Sequence, residues 1–243
     1  MDNENRSTQR CVEAVLLDLD GTLLETGFEE LMPLYFDGLA ARFSDYMPHD
    51  VFLQHLMAAT EAMMANTDPS ITNITVFSQD FFSRTDLDPS LIHRFEEYYR
   101  DDFPTLGRKA RVDPWAAKVV EAALDRGLAV VIATNPLFPS EAIYERLRWG
   151  RLETYPYALV TTGDNMASCK PQTDYYREIC SRIGKSPGVC MMVGDDPVMD
   201  GPAAAVGMDL FLLHQDGTLA DVHRQLTTGS RNMTSFLGGE TST

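Results

Sequence analysis

The chain has 243 residues, 44% hydrophobic, 9% aromatic and 23% charged, with 20 Lys and Arg against 36 Asp and Glu, for a formal net charge of −16. These fractions exclude wholesale disorder and fibrous repeats. So acidic a surface repels phosphate backbones and anionic lipid, which sets nucleic acid and membrane aside as partners. The same carboxylate excess suits a divalent cation, or simply solubility.

The first ten residues, MDNENRSTQR, are polar, have no apolar stretch behind their charges, and read as a frayed tail rather than a secretory signal. No run approaches the ~18 apolar residues that a membrane-spanning helix needs. Cys11, Cys169, Cys180 and Cys190 show neither Cys-x-x-Cys spacing nor disulfide density, so reduced thiols in a cytoplasmic protein are expected and a zinc site is not.

In chain order, a first apolar run at residues 12–17 reads as a strand buried on both faces. Helical patterns follow at 31–43, 51–64 and 91–99, with no clear buried strand between them. Roughly eighty residues are too many for a loop in a compact domain, so residues 25–107 read as an inserted, all-helical domain. Its Met residues (32, 47, 57, 63, 64) and aromatics are its expected core. The second part of the chain alternates further apolar runs at 128–133, 157–160, 189–193 and 209–213 with amphipathic helical stretches.

The helices of that second part are well punctuated. Asp113 with Pro114 starts one and Gly127 ends it; Ser140 starts another, with Ile143 and Leu147 on one face; Thr173 starts a third, which Gly184 terminates. Strand–helix alternation predicts an α/β fold, a Rossmann-like parallel sheet flanked by helices, built from residues 1–24 and 108–243. Beyond about Thr227 the chain is rich in Gly, Ser and Thr and reads as a loose tail.

Chemistry concentrates where the strands should end. The first strand runs into Asp18-Leu19-Asp20-Gly21-Thr22. Carboxylates at i and i+2 on extended backbone face one side, a costly arrangement unless a cation lies between them or one is protonated. A plain Asp-Gly turn is the competing reading. The second run ends Ala133-Thr134-Asn135, a hydroxyl and an amide at a strand end; Lys170 stands alone before a helix; and residues 189–193 run into Gly194-Asp195-Asp196, with Asp200 beyond. Each alone is unremarkable: a cap, a solvated lysine, a turn. Together, at strand ends where ligands bind in open parallel sheets, they suit a phosphate and Mg²⁺. Cys169 reads as a neighbour of Lys170, not as a nucleophile.

On these residues the sequence resembles the haloacid dehalogenase superfamily of hydrolases. Asp18–Thr22 matches its first motif, Thr134 its second, Lys170 the lysine of its third, and Gly194-Asp195 with Asp200 its acidic fourth. The resemblance spans about 1–24 and 108–226, and the insertion looks like the family's helical cap. It implies Asp18 as a nucleophile that forms an aspartyl-phosphate, and Asp20 as general acid and then base. Mg²⁺ would be held by Asp18, the Asp20 carbonyl and Asp195. Thr134, Asn135 and Lys170 would bind substrate, and Asp200 would orient Lys170 or a metal-bound water. Asp196 is either a further acid behind the site or a turn former.

The superfamily's dehalogenases lack the second Asp and its ion pumps carry Thr there, so Asp20 favours phosphate chemistry. The expected activity is a Mg²⁺-dependent phosphatase of a small phosphorylated metabolite, acting as monomer or homodimer. A sugar phosphomutase uses the same intermediate, and a receiver-like signalling module or a binding protein is the alternative outside catalysis. The joins at 25–27 and 104–107 are expected hinges. Arg42, His49, His55, Arg84 and His93 are the cap residues considered for substrate contact.

Overall fold

The computed structural model describes residues 11–26 and 28–228; the two expected tails and Gly27 lie outside that range. Five strands, β1 (Ala14–Leu17), β2 (Ala129–Ile132), β3 (Leu159–Val160), β4 (Cys190–Gly194) and β5 (Asp209–Leu212), form one parallel sheet in the order β3-β2-β1-β4-β5. β1 is central, with Leu17 in register with Ile132 on one side and Val193 on the other. All four of its residues are buried, as its unbroken apolar run requires. Alternate residues serve opposite faces. Val15 and Leu17 join a core with Val119, Val120 and Leu147, while Ala14 and Leu16 join Tyr175, Tyr176 and Ile179. β3 shrinks to two residues at the sheet edge, where one neighbour is missing.

Helices α1 (Phe28–Ala41), α2 (His49–Met64), α3 (Asn73–Thr85) and α4 (Ile92–Asp101) follow β1. Then come α5 (Ala116–Asp125), α6 (Ser140–Trp149), α7 (Thr173–Ile183), α8 (Pro202–Ala205) and α9 (Leu219–Thr228). α6, α7 and the stop at Gly184 fall where expected. Gly184 has φ +65° and the Lys185 N–H reaches back to the Cys180 carbonyl, the left-handed helix stop that glycine makes cheap. α5 starts two residues later than expected. The Asp113 carboxylate accepts from the Trp115 N–H at 2.7 Å, which spends Pro114 and Trp115 on a turn before the first helical residue.

The unexpected helix is α3. Its sequence, NITVFSQDFFSRT, is rich in β-branched and aromatic residues, so local preference argues against it. Tertiary contacts supply what propensity does not. The N–H groups of Asn73 and Ile74 donate to the carbonyls of Met166 and Gly163 at 2.8 and 2.9 Å, satisfying donors that a helix start leaves open. Its buried face, Phe77, Phe81 and Phe82, packs into an aromatic cluster with Phe43, Phe52 and Phe95, where Phe43 lies 4.8 Å from Phe95 and Phe81 5.2 Å.

The two chain segments joining these helices to the sheet run side by side. The Glu25 N–H donates to the Arg111 carbonyl at 2.9 Å, and the Thr26 hydroxyl accepts from the Arg111 N–H at 2.8 Å. The expected hinge at 104–107 falls inside a 3₁₀ helix, Phe103–Lys109, where Gly107 is pressed against the Trp149 indole, so that glycine serves close packing.

Phe81 is fully buried among other rings, so Phe81→Ala is expected to lower unfolding free energy by about 3–5 kcal/mol. Chemical denaturation measures it, and a loss below a quarter of that would contradict the packing described.

Candidate active site

β1 delivers Asp18 at the carboxyl end of the central strand, still tied to the sheet by its N–H to the Val193 carbonyl at 2.9 Å. Next to β1 the strand order reverses, β2 and β3 running to one side and β4 and β5 to the other, which opens a crevice at this edge. β4 delivers Asp195 to the same place. The nearest carboxylate oxygens of Asp18, Asp195 and Asp200 lie within 4.8 Å of one another, so residues distant in sequence converge on one spot.

Lys170 joins them. Its Nζ donates to Asp18 Oδ1 at 2.8 Å and to Asp200 Oδ1 at 2.6 Å, with the lysine only 2% exposed. The Lys170 N–H donates to Asn135 Oδ1 at 3.1 Å, so the amide that follows Thr134 fixes the backbone carrying the ammonium. Thr134 is buried and lines the same cavity. Its carbonyl accepts from Thr161 Oγ1 at 2.7 Å and from the Tyr175 hydroxyl at 2.9 Å, which immobilises the strand end beneath its side chain.

Two glycines make the convergence possible. Gly21 has φ +84°, and a Cβ there would overlap the Asp195 carboxylate; a Cβ on Gly194 would overlap the Asp200 carboxylate. The Thr22 hydroxyl donates to Asp195 Oδ1 at 3.2 Å, so the turn after β1 also holds the carboxylate from β4. Asp196 resolves as a turn former: its Oδ1 accepts from the Val198 and Met199 N–H groups at 2.7 and 3.2 Å. Cys169 is buried, and burial, helped by Glu178, pushes its thiol up to about 12, which removes it as a nucleophile.

The charges do not balance. Burial raises the Asp18 carboxyl to about 7 against the pull of Lys170, and burial, then Asp200, raise Asp195. Burial alone would lower the Lys170 ammonium, but Asp18 and Asp200 outweigh it and hold it well above its usual value. Three carboxylates thus share one cation. The donor set, hard oxygens clustered at this spacing with an uncompensated negative charge, fits Mg²⁺.

Asp20 stands apart from this cluster. Its carboxylate pairs with Arg146 of α6, a residue only 1% exposed whose guanidinium lies 4.8 Å from the Phe138 ring. Burial raises the Asp20 carboxyl and Arg146 opposes that rise. The sequence reading passed over Arg146. The signal was its position, three residues after Ile143 and beside Leu147, which puts a charge on the stripe that faces inward.

None of the residues between 25 and 107 that were considered for substrate contact borders the cavity at this site. Arg42 donates to Asp102 at 2.7 Å, His49 pairs with Asp37 at 3.0 Å, Arg84 pairs with Asp80, and His93 meets the Ser90 carbonyl at 2.6 Å. His55 likewise lies outside the lining.

Comparison with known proteins agrees with this geometry. Residues 12–207 match the model of the haloacid dehalogenase-like hydrolase family, and the chain belongs to that family. It is similar to the phosphoglycolate phosphatase of Rhodospirillum rubrum, with 27% identity over 207 residues, 83% of this chain and 79% of that one. The chain is thus an enzyme, a hydrolase of the phosphatase kind. Among solved structures, a HAD phosphatase from Thermococcus onnurineus superposes with TM-score 0.56 at 23% identity, covering 90% of this chain and 100% of that one. CbbY from Rhodobacter sphaeroides, in complex with phosphate, gives 0.51 at 18%, over 83% and 85%. A dehalogenase with an intermediate complex gives 0.50 at 16%, over 86% and 88%. These structural likenesses establish the fold, which serves both chemistries.

Arg146→Met keeps much of the side-chain volume but strips Asp20 of its ion partner, and is expected to lower stability by about 3–5 kcal/mol. Adding Asp20→Asn should restore most of the loss. Denaturation of both variants tests this; equal losses in the single and double variants would contradict a direct coupling.

Proposed function

We propose that the protein is a Mg²⁺-dependent phosphatase that hydrolyses a phosphate monoester through an aspartyl-phosphate on Asp18. The observation that carries this reading is the Lys170 ammonium held between Asp18 and Asp200 with Asp195 alongside. It is a buried pocket built for a nucleophilic carboxylate, a phosphoryl group and a divalent cation together. Asp18, Asp195 and, through its carbonyl, Asp20 would hold Mg²⁺, which when bound supplies charge neutralisation for the phosphoryl oxygens. Residues 25–107 act as a helical cap domain over a core made of 1–24 and 108–243.

The reaction then divides among the chain's own groups. A carboxylate oxygen of Asp18 attacks phosphorus in line, forming an acyl-phosphate bond as the ester P–O bond breaks. The Lys170 ammonium and the Thr134 hydroxyl donate to the phosphoryl oxygens, where charge accumulates in the transition state. Asp20, protonated, gives its proton to the departing alkoxide. As a carboxylate it next takes a proton from the water that attacks phosphorus, and the Asp18–phosphate bond breaks to release inorganic phosphate. Burial, which raises the Asp20 carboxyl, favours the protonated form that the first step needs. Asp200 acts by positioning Lys170, and Asn135 by fixing its backbone.

Asp18→Asn is expected to abolish phosphate release, whereas Asp20→Asn slows it by about 10²–10⁴-fold, the usual share of a positioned proton donor. EDTA should stop the wild type, and added Mg²⁺ should restore it. A colorimetric phosphate assay reads all three; wild-type turnover by Asp18→Asn would overturn the nucleophile, and full activity in EDTA would overturn the metal.

A further inference from the structure

The active-site aspartates sit at the floor of a cavity of about 680 Å³, within the size range of pockets that take drug-sized ligands. Above the floor, the buried and half-buried wall residues from α1 to α4 and from the loop after β2 are mostly apolar, among them Met32, Phe36, Leu56, Phe77, Phe95 and Phe138, while the exposed carboxylates of Glu96, Glu141 and Asp164 also border the cavity. Among the described lining residues, the only charged side chain from residues 28–107 is Glu96, itself exposed. The cations that line the cavity are Lys170 and Arg146, and both are held on carboxylates, Lys170 on Asp18 and Asp200 and Arg146 on Asp20.

Three of the wall's hydroxyls are similarly engaged. The Tyr35 and Tyr99 hydroxyls bond to each other at 2.9 Å, and the Thr60 hydroxyl donates to the Leu56 carbonyl at 2.9 Å. A carboxylate or a ring of hydroxyls on the substrate's far end would lose its water there and meet hydrocarbon, which is costly. An apolar group would gain from the same surroundings.

We propose that the substrate is a phosphate monoester of a bulky apolar alcohol, alkyl or arylalkyl, and not of a small hydroxy acid or a sugar. The inference rests on the phosphatase reading and narrows it to a substrate class: the phosphoryl group lies on Asp18 and Lys170 while the hydrocarbon fills the space among Phe36, Leu56, Phe77 and Phe95.

A homologous series of n-alkyl phosphates, from ethyl to octyl, tests it in the wild-type enzyme with Mg²⁺, because the intrinsic reactivity of the ester scarcely changes along the series. kcat/KM is expected to rise by about three- to fourfold per methylene until the cavity fills, the factor for burying one CH₂. The longer esters should outrun 2-phosphoglycolate and hexose phosphates. Phe36→Arg, which puts a cation into the apolar wall at a half-buried position, should flatten the slope and favour 2-phosphoglycolate. Ile92→Gln, in the same wall, should flatten it without adding charge, and thermal melting checks that each variant is folded. A flat series in the wild type, or preference for the small acid or the sugar phosphates, would overturn the inference and leave the phosphatase reading standing. Release from no ester above the level of Asp18→Asn would overturn the phosphatase reading, and the inference with it.

Discussion

One buried ammonium organises this molecule. Lys170 bonds to Asp18 from the first strand and to Asp200 from beyond the fourth, at 2.8 and 2.6 Å. An unpaired lysine at this depth would tend to lose its proton, and unpaired carboxylates would tend to gain one. Bringing them together keeps the ammonium charged where water is scarce. Asp195 alongside then leaves negative charge in excess, which favours a cation at this spot. The sheet supplies the rigidity: β1 is flanked on both sides by hydrogen-bonded neighbours, and the functional side chains begin where its ladder stops.

That arrangement constrains its surroundings more tightly than the charges alone suggest. Gly21 and Gly194 are places where a carboxylate from another segment occupies the space a Cβ would take. Asn135 spends its amide oxygen on the Lys170 backbone, and Asp196 spends its carboxylate on the turn that leads to Asp200. Polar residues that look available in the sequence are thus committed to geometry. Above them, the buried part of the cavity wall contributed by α1 to α4 is mostly hydrocarbon.

The sheet was legible in the sequence because strands covered on both faces leave unbroken apolar runs, and β1 and β4 are buried along their whole length. Asp18 and Asp195 were legible because they stand just past strand ends, where a polar residue has few structural reasons to be, and Lys170 because it is a lone cation just before a helix. α3 was not, since β-branched and aromatic residues form this helix only with help from the 163–166 loop and a cluster of phenylalanines distant in sequence. Arg146 was hidden for a related reason: an arginine in an amphipathic pattern reads as solvated until its carboxylate partner, more than a hundred residues earlier, is folded against it. Three of the residues considered for substrate contact, Arg42, His49 and Arg84, proved to pair with neighbouring acids within the helical segment. Residue type alone does not tell such pairs from ligands.

Reductive trapping tests most directly the covalent phosphate proposed on Asp18. Borohydride added to the enzyme during turnover reduces an acyl-phosphate on aspartate to homoserine, which peptide mass spectrometry locates. The expected result is homoserine at position 18, dependent on substrate and absent from Asp18→Asn. Continued phosphate release with position 18 unmodified, or with the modification at another carboxylate, would contradict it.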